Sequence, residues 1–170
     1  MNSEKLRAIQ SPLKSQYKED PDSAVITLSS EGKIGDGITC KVDTGKAMVE
    51  AGLHPATGGD GMAACSGDIL LDALVACAGV TLNAVATAIG VDLGEETKIT
   101  ADGDLDFRGT LGVSKEAPVG FKEIRLTFHL DTDASGEQIA SLIKLTERYC
   151  VVFQTLNSKP ALITEHSILN

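Results

Sequence analysis

The segment SGDILLDALVACAGVTL, residues 66–82, holds one cysteine, Cys77, in a run with few polar side chains. Ser66 is a suitable N-cap, and Asp68 falls in the first turn, where a carboxylate complements the helix dipole. The segment therefore predicts a helix, which Gly90 can end. Its apolar residues cover almost every face, so other elements must surround it on all sides. One chain of 170 residues with short sheets has little to cover it, and we expect a homodimer.

Residues 69–91 are long enough to be mistaken for a membrane span. The stretch contains Asp72 and Asn83, however, and its nearest positive charges, Lys46 and Lys98, are too distant to anchor it at an interface. A buried helix and no membrane contact are predicted. The first 20 residues have no hydrophobic core typical of a signal peptide, which favours a cytoplasmic location.

Short alternating strands and amphipathic helices follow one another in blocks, which indicates an α+β fold rather than an alternating parallel sheet. A single domain over residues 1–170 is predicted, with residues 1–20 as a helical arm interrupted by Pro12 that could face a partner. The predicted helices are 4–18, 66–88 and 135–149, followed by a short helix or turn at 150–156. The predicted strands are 23–30, 38–42, 46–51, 95–107, 121–130 and 161–167. Turns are predicted at 31–37 and 43–45, and loops at 54–62 and 108–118.

The net charge of −9 argues against nucleic-acid binding, because an acidic surface repels phosphate backbones. No cluster of Lys and Arg interleaved with aromatic residues offsets it. The Gly-rich run at residues 58–61 lacks the features of either phosphate-binding fingerprint, so a plain loop is the better interpretation.

The four cysteines are Cys40, Cys65, Cys77 and Cys150. They form no CxxC pair and the three histidines stand apart from them, which argues against a structural zinc site. The simplest interpretation of each is a small buried hydrophobe, and we keep it for Cys40 and Cys65. Two thiols on separate helices can instead meet and exchange a disulfide. A reactive Cys77 needs a cation or hydrogen-bond donors that lower its pKa. The candidate cations are Lys33, Arg108, Arg125 and Arg148.

Three segments together resemble the OsmC/Ohr family of thiol-dependent peroxidases, and its OsmC-like branch above all. They are CSGDILLDALVAC at residues 65–77, PVGFKEI at 118–124 and ERYCVV at 147–152. The resemblance covers residues 23–168. It implies an intertwined α+β homodimer, in which antiparallel sheets wrap around central buried helices and two sites lie at the interface.

The resemblance also implies roles for particular residues. Cys77 matches the peroxidatic cysteine of the family and Cys150 its resolving cysteine. Lys33 stands where the family has an arginine that steadies the thiolate. At the position of a family glutamate stands Gly67, and Asp68 follows it with a carboxylate one methylene shorter. Val151 replaces the proline usual after the second cysteine.

The function that this resemblance implies is that of a thiol peroxidase for organic or fatty hydroperoxides, typical of a stress response, that needs no metal or tightly bound cofactor. Cys77 would become a sulfenic acid, Cys150 would condense with it, and a small dithiol such as a lipoyl group would reduce the disulfide. The departures at Lys33 and Gly67 favour an alternative, a ligand-binding or redox-sensing protein of the same fold with little turnover. A third possibility is a purely structural dimer with inert thiols.

Overall fold

The computed structural model describes residues 3–35, 39–42, 51–62, 64–166 and 168. Helices and antiparallel strands are mixed in this part of the chain, as an α+β fold requires. The elements are α1 (Ser3–Glu19), β1 (Val25–Gly35), β2 (Thr39–Val42), β3 (Ala51–Gly52), β4 (Ala64–Cys65), α2 (Ser66–Ile89), β5 (Lys98–Asp106), α3 (Phe107–Thr110), β6 (Phe121–His129), α4 (Gly136–Tyr149) and α5 (Val151–Asn157), with 3-10 turns at Pro21–Ala24 and Pro55–Thr57.

The main sheet has four strands in the order β2-β1-β5-β6, and each neighbouring pair is antiparallel. Along β5 every second residue is buried, which is the alternation that the sequence predicted. Ile99 and Ala101 are completely buried on its inner face. This face supplies one wall of the hydrophobic core, and α2 lies against β1 and β5.

Helix α2 forms the centre of the core. Its buried residues are Leu71, Leu74, Val75, Ala78, Gly79, Leu82, Val85 and Ala86. By length and composition this helix could cross a membrane. It packs along the sheet and against α4 and α5, and a core helix of a soluble protein meets the same criterion. Gly90 ends it at φ 71°, a left-handed conformation that favours glycine.

The predicted amino-terminal helix is present, and it passes through Pro12 without a break. Its carboxyl end is anchored on its own chain: Tyr17 is buried, and its hydroxyl donates a hydrogen bond to the Ala56 carbonyl at 2.6 Å. Gln10 Nε2 also donates to the Thr57 carbonyl at 3.2 Å. Contact between this helix and a partner stays a prediction.

Several predicted boundaries were wrong because hydrogen bonding outweighs local pattern. Residues 31–35, predicted as a turn, extend β1, which pairs with β5 from Val25 to Lys33. The strand predicted from residue 95 begins at Lys98, since Thr97 N–H donates to the Gly94 carbonyl in a turn. Phe107, predicted as strand, begins α3, because the Asp106 carboxylate caps the Arg108 N–H at 3.1 Å.

Of three further predictions, two were wrong and one falls almost entirely outside the described residues. The N-cap of α2 is Cys65 rather than Ser66, which is the first helical residue. Residues 161–166, predicted as strand, are irregular and exposed, and within the described chain no strand pairs with them. The turn at residues 43–45 and nearly all of the strand at 46–51 fall outside the described residues.

Candidate active site

The carboxyl half of the chain brings Cys150 to Cys77. A capping box at Ser135 and Gln138 starts α4, and Leu142 anchors this helix in the core. Cys150 is both the C-cap of α4 and the N-cap of α5, with φ −72° and ψ 108°. This extended residue turns the chain so that α5 packs on α2. The two thiols lie close enough for each to shift the pKa of the other.

The surroundings of Cys77 favour its thiolate. Burial by itself raises the pKa of Cys77, but hydrogen bonds outweigh burial and lower that pKa below its ordinary value. In order of effect, the groups that lower it are the Val152 N–H, the Cys150 thiol, the Val151 N–H and the Thr81 hydroxyl. The first N–H groups of a helix have no partner within the helix, so α5 offers two of them to the sulfur.

Cys150 has the opposite character. It is completely buried, and burial raises the pKa of its thiol to about 11; the neighbouring Cys77 acts in the same direction. The Phe153 N–H donates to Cys150 Sγ at 3.5 Å and opposes this shift. At neutral pH the pair therefore consists of a hydrogen-bond donor, the Cys150 thiol, and an acceptor, the Cys77 sulfur. The pairing of these two cysteines in a disulfide, which the resemblance implied, stays a prediction.

The arginines named as candidate cations for Cys77 are engaged elsewhere. Arg108 binds the buried carboxylate of Asp106, with Nε at 2.9 Å from Oδ1. Arg125 binds Asp104 at 2.7 Å and Glu123 at 2.8 Å, and the Arg148 guanidinium lies 5.4 Å from the centre of the Tyr149 ring. Among the described residues, the groups that lower the pKa of Cys77 are all uncharged donors.

The described part of one chain does not show the other two predicted site residues beside Cys77. Lys33 lies in β1, where its backbone is in register with Lys98 of β5; its side chain is outside the described structure. Asp68 precedes Cys77 by nine residues, which places it on the opposite side of α2 and roughly 13 Å along the axis. Burial raises the pKa of Asp68, and His54 partly opposes this. Catalytic roles for Lys33 and Asp68 stay predictions.

Two parts of the site were not predicted from the sequence. Thr81 follows Cys77 by four residues on α2, a spacing that places both on one helix face, and this signal was available. The N–H donors of Val151 and Val152 carry no residue signature. They can be identified only from the structure, in which the turn at Cys150 directs the amino end of α5 toward the Cys77 sulfur.

A cavity of about 340 Å³ lies between β6 and residues of α2, α4 and α5, and neither Cys77 nor Cys150 is among its lining residues. Its apolar lining comes from Leu74, Phe121, Ile124, Leu126, Phe128, Phe153 and Leu156. Leu74 is one turn before Cys77 on α2, and Phe153 is the residue whose N–H contacts Cys150. The volume of the cavity is at the small end of the range for ligand pockets.

In the residues that the structure describes, no group of three or more His, Cys, Asp or Glu side chains could hold a metal ion. Cys65, Cys77 and Cys150 are free thiols. Cys65 is half-buried at the start of α2 and makes no side-chain cap bond there.

Replacing Val151 with proline tests the contribution of the α5 backbone. Proline is tolerated at the first position of a helix, and the extended backbone of Cys150 suits a residue that precedes proline. The variant should keep its fold but lose one N–H donor to Cys77, so the pKa of Cys77 should rise. We expect alkylation of Cys77 by iodoacetamide at pH 7 to slow by about threefold, since 1.4 kcal/mol corresponds to tenfold and one such bond contributes less.

The control for this prediction is V151A, which keeps the N–H group and should alkylate at the wild-type rate. The rates are measured by mass spectrometry across pH 6 to 10. Equal profiles for V151P and the wild type would show that this donor does not stabilise the thiolate.

Comparisons with known proteins agree with this architecture. A family model described as "OsmC-like protein" matches residues 58–165, which is well over half of the chain. An OsmC-like hydroperoxide resistance protein from Jannaschia sp. CCS1 is similar in structure, with a TM-score of 0.60 and 18% identity, over 85% of this chain and 95% of that one. An OsmC-like protein from Mycoplasma pneumoniae has a TM-score of 0.55 and 16% identity, over 79% and 86%. No curated protein matches the chain.

Proposed function

The chain belongs to the OsmC-like family, and on that premise we propose that it is a thiol-dependent peroxidase for organic hydroperoxides. One observation supports this most strongly: Cys77 and Cys150 lie close enough to shift each other's pKa, and that of Cys77 is lowered while that of Cys150 is raised. A peroxide-reducing pair needs one sulfur that is a nucleophile and a second that stays protonated as a thiol until the first has been oxidised. A similar structure is named as a hydroperoxide resistance protein.

In the first step the Cys77 thiolate attacks the O–O bond of a hydroperoxide. The S–O bond forms as the O–O bond breaks, the alkoxide leaves and takes up a proton, and Cys77 becomes a sulfenic acid. The sulfur is oxidised by two electrons and the peroxide is reduced to an alcohol. The N–H groups of Val151 and Val152 and the Thr81 hydroxyl hold the anionic sulfur before attack.

In the second step the Cys150 sulfur attacks the sulfenic sulfur, releases water and forms a disulfide with Cys77. Cys150 must lose its proton here, and the departing hydroxide accepts it, so the raised pKa of Cys150 does not prevent the reaction. A small dithiol such as a lipoyl group then reduces the disulfide by thiol exchange and is itself oxidised to a cyclic disulfide.

We propose that the enzyme works as a homodimer in which a second copy covers the exposed side of α2. Leu70 and Val80 are 37% and 39% exposed, and with Ala73 and Cys77 they lie at helical spacing along that side. Large apolar residues in a row on a surface indicate an interface. The partner would also exclude water from the sulfur.

The direct test measures consumption of cumene hydroperoxide with dihydrolipoamide as reductant. We expect steady turnover, and a Cys77–Cys150 disulfide detectable by mass spectrometry after one equivalent of peroxide. Hydrogen peroxide should be consumed more slowly, because the cavity lined by Leu74 and Phe153 has a largely apolar lining that favours an organic group. No turnover and no disulfide would overturn the proposal.

The same assay distinguishes a redox-sensing role. Uncharged donors alone lower the pKa of Cys77 among the described residues, which favours a thiolate of moderate reactivity. A sensor would form the Cys77–Cys150 disulfide with one equivalent of peroxide yet show little turnover with an excess of dithiol. Fast turnover would rule this out.

A further inference from the structure

The width of the cavity depends on how the Phe121 ring packs. Phe121 is the first residue of β6, and its ring lies on the inner face of β5 directly over Gly103. A Cβ atom at position 103 would stand 2.6 Å from Phe121 Cδ1, far inside the distance at which carbon atoms attract. Glycine at position 103 therefore allows the ring to sit against the sheet, and any side chain there would push it toward the cavity.

The rim of the cavity has no excess of positive charge. Its charged lining residues are Lys122, Glu123 and Glu147. Glu123 accepts a hydrogen bond from Arg125, but Arg125 is also bound by Asp104, so the whole group keeps a net negative charge. The chain as a whole carries −9. A carboxylate at this rim would meet repulsion rather than a cationic partner.

We propose that this cavity binds the organic part of the hydroperoxide, that the Gly103–Phe121 pair sets the widest group admitted, and that the rim selects uncharged peroxides over those bearing a carboxylate. The inference rests on the proposed peroxidase function and specifies its substrate. In this proposal the apolar lining receives the tail. Leu74 of that lining lies one helical turn before Cys77, so the O–O group extends from the cavity toward the sulfur. Phe121 is a specificity-determining residue and takes no part in the chemistry.

The first test compares kcat/KM for cumene hydroperoxide with that for the smaller tert-butyl hydroperoxide. G103A should lower the cumene-to-butyl ratio by about tenfold, the usual effect of one methyl group in a tight pocket. F121L should raise the ratio by about threefold, and the double variant G103A/F121L should return it to within about twofold of wild type, because the smaller side chain removes the overlap. Equal losses for both peroxides in G103A, or an unchanged ratio in F121L, would overturn the proposed width determinant.

The second test does not need turnover, so it separates this inference from the proposed function. 1-Octanol should slow the alkylation of Cys77 by iodoacetamide, whereas octanoate at the same concentration should not. E147K replaces a negative with a positive side chain and so raises the net charge of the rim by two units, which should make octanoate protective. A lysine suits this position, because it lies near the carboxyl end of α4. Equal protection by octanol and octanoate in the wild type would overturn the charge selection. Protection without peroxidase activity would leave the binding site in place and reject the enzyme.

Discussion

Replacement of Cys77 with serine is expected to reduce peroxidase activity by at least about 10³-fold. A serine hydroxyl has nearly the size of the thiol, so the half-buried position on α2 keeps its packing. The hydroxyl does not ionise near neutral pH, and the donors from α5 and Thr81 then have no anion to stabilise. Consumption of cumene hydroperoxide in the presence of dihydrolipoamide measures the loss.

C65S is the matched control for this variant. Cys65 is also a half-buried free thiol on the path into α2, and its side chain makes no cap bond there. It should keep activity within about twofold of wild type, because serine is a good N-cap and nothing in the mechanism uses this sulfur. If C77S kept a tenth of the activity, or if C65S lost as much as C77S, another residue would have to be the nucleophile.

The sequence was sufficient to predict the helices and strands that pack in the hydrophobic core. The apolar run of α2, the alternation along β5 and the stripe of α4 were all predicted, because in each the buried face repeats with the period of the element. Membership of the OsmC-like family and the α+β fold are confirmed by the family model and the structural neighbours. The homodimer remains a prediction.

The errors fell where long-range contacts decide the structure. Residues 31–35 look like a turn in isolation, yet pairing with β5 makes them strand. The stretch 161–166 has strand-forming residues, but a strand needs a neighbour and the described chain provides none there. Leu162 and Ile163 are accordingly 90% and 84% exposed.

The site shows the same division. The sequence predicted Cys77 and Cys150 as the pair, and their catalytic roles stay predictions. For Cys77 it required a cation or hydrogen-bond donors, but only candidate cations were named. Among the described residues, two of the four groups that lower the pKa of Cys77 are backbone N–H groups, and a backbone donor depends on where a helix begins and points rather than on residue type. The acidic partners of Arg108 and Arg125 are brought to them by sheet register and a turn, which local composition does not reveal.

The second large effect should come from Cys150, which we expect to be needed for turnover and not for the first attack. In C150S, one equivalent of alcohol per chain should form rapidly, and steady-state activity should then fall by at least about 10²-fold, because no thiol condenses with the sulfenic acid. Dimedone should label Cys77 in this variant after one equivalent of peroxide. An excess of peroxide should convert Cys77 to the sulfinic acid, a product that mass spectrometry identifies.

Comparison of C150S with C150A isolates the hydrogen bond between the two side chains. Both variants lack the resolving sulfur, but the serine hydroxyl can still donate to the Cys77 sulfur and accept from the Phe153 N–H, whereas alanine does neither. The pKa of Cys77 should therefore be higher in C150A, and the first attack at pH 7 should be slower than in C150S by about threefold to tenfold. Equal rates in the two variants would show that the α5 backbone and Thr81 stabilise the thiolate without help from Cys150. Undiminished steady-state turnover in either variant would mean that the dithiol reduces the sulfenic acid directly, and the resolving role would then be rejected.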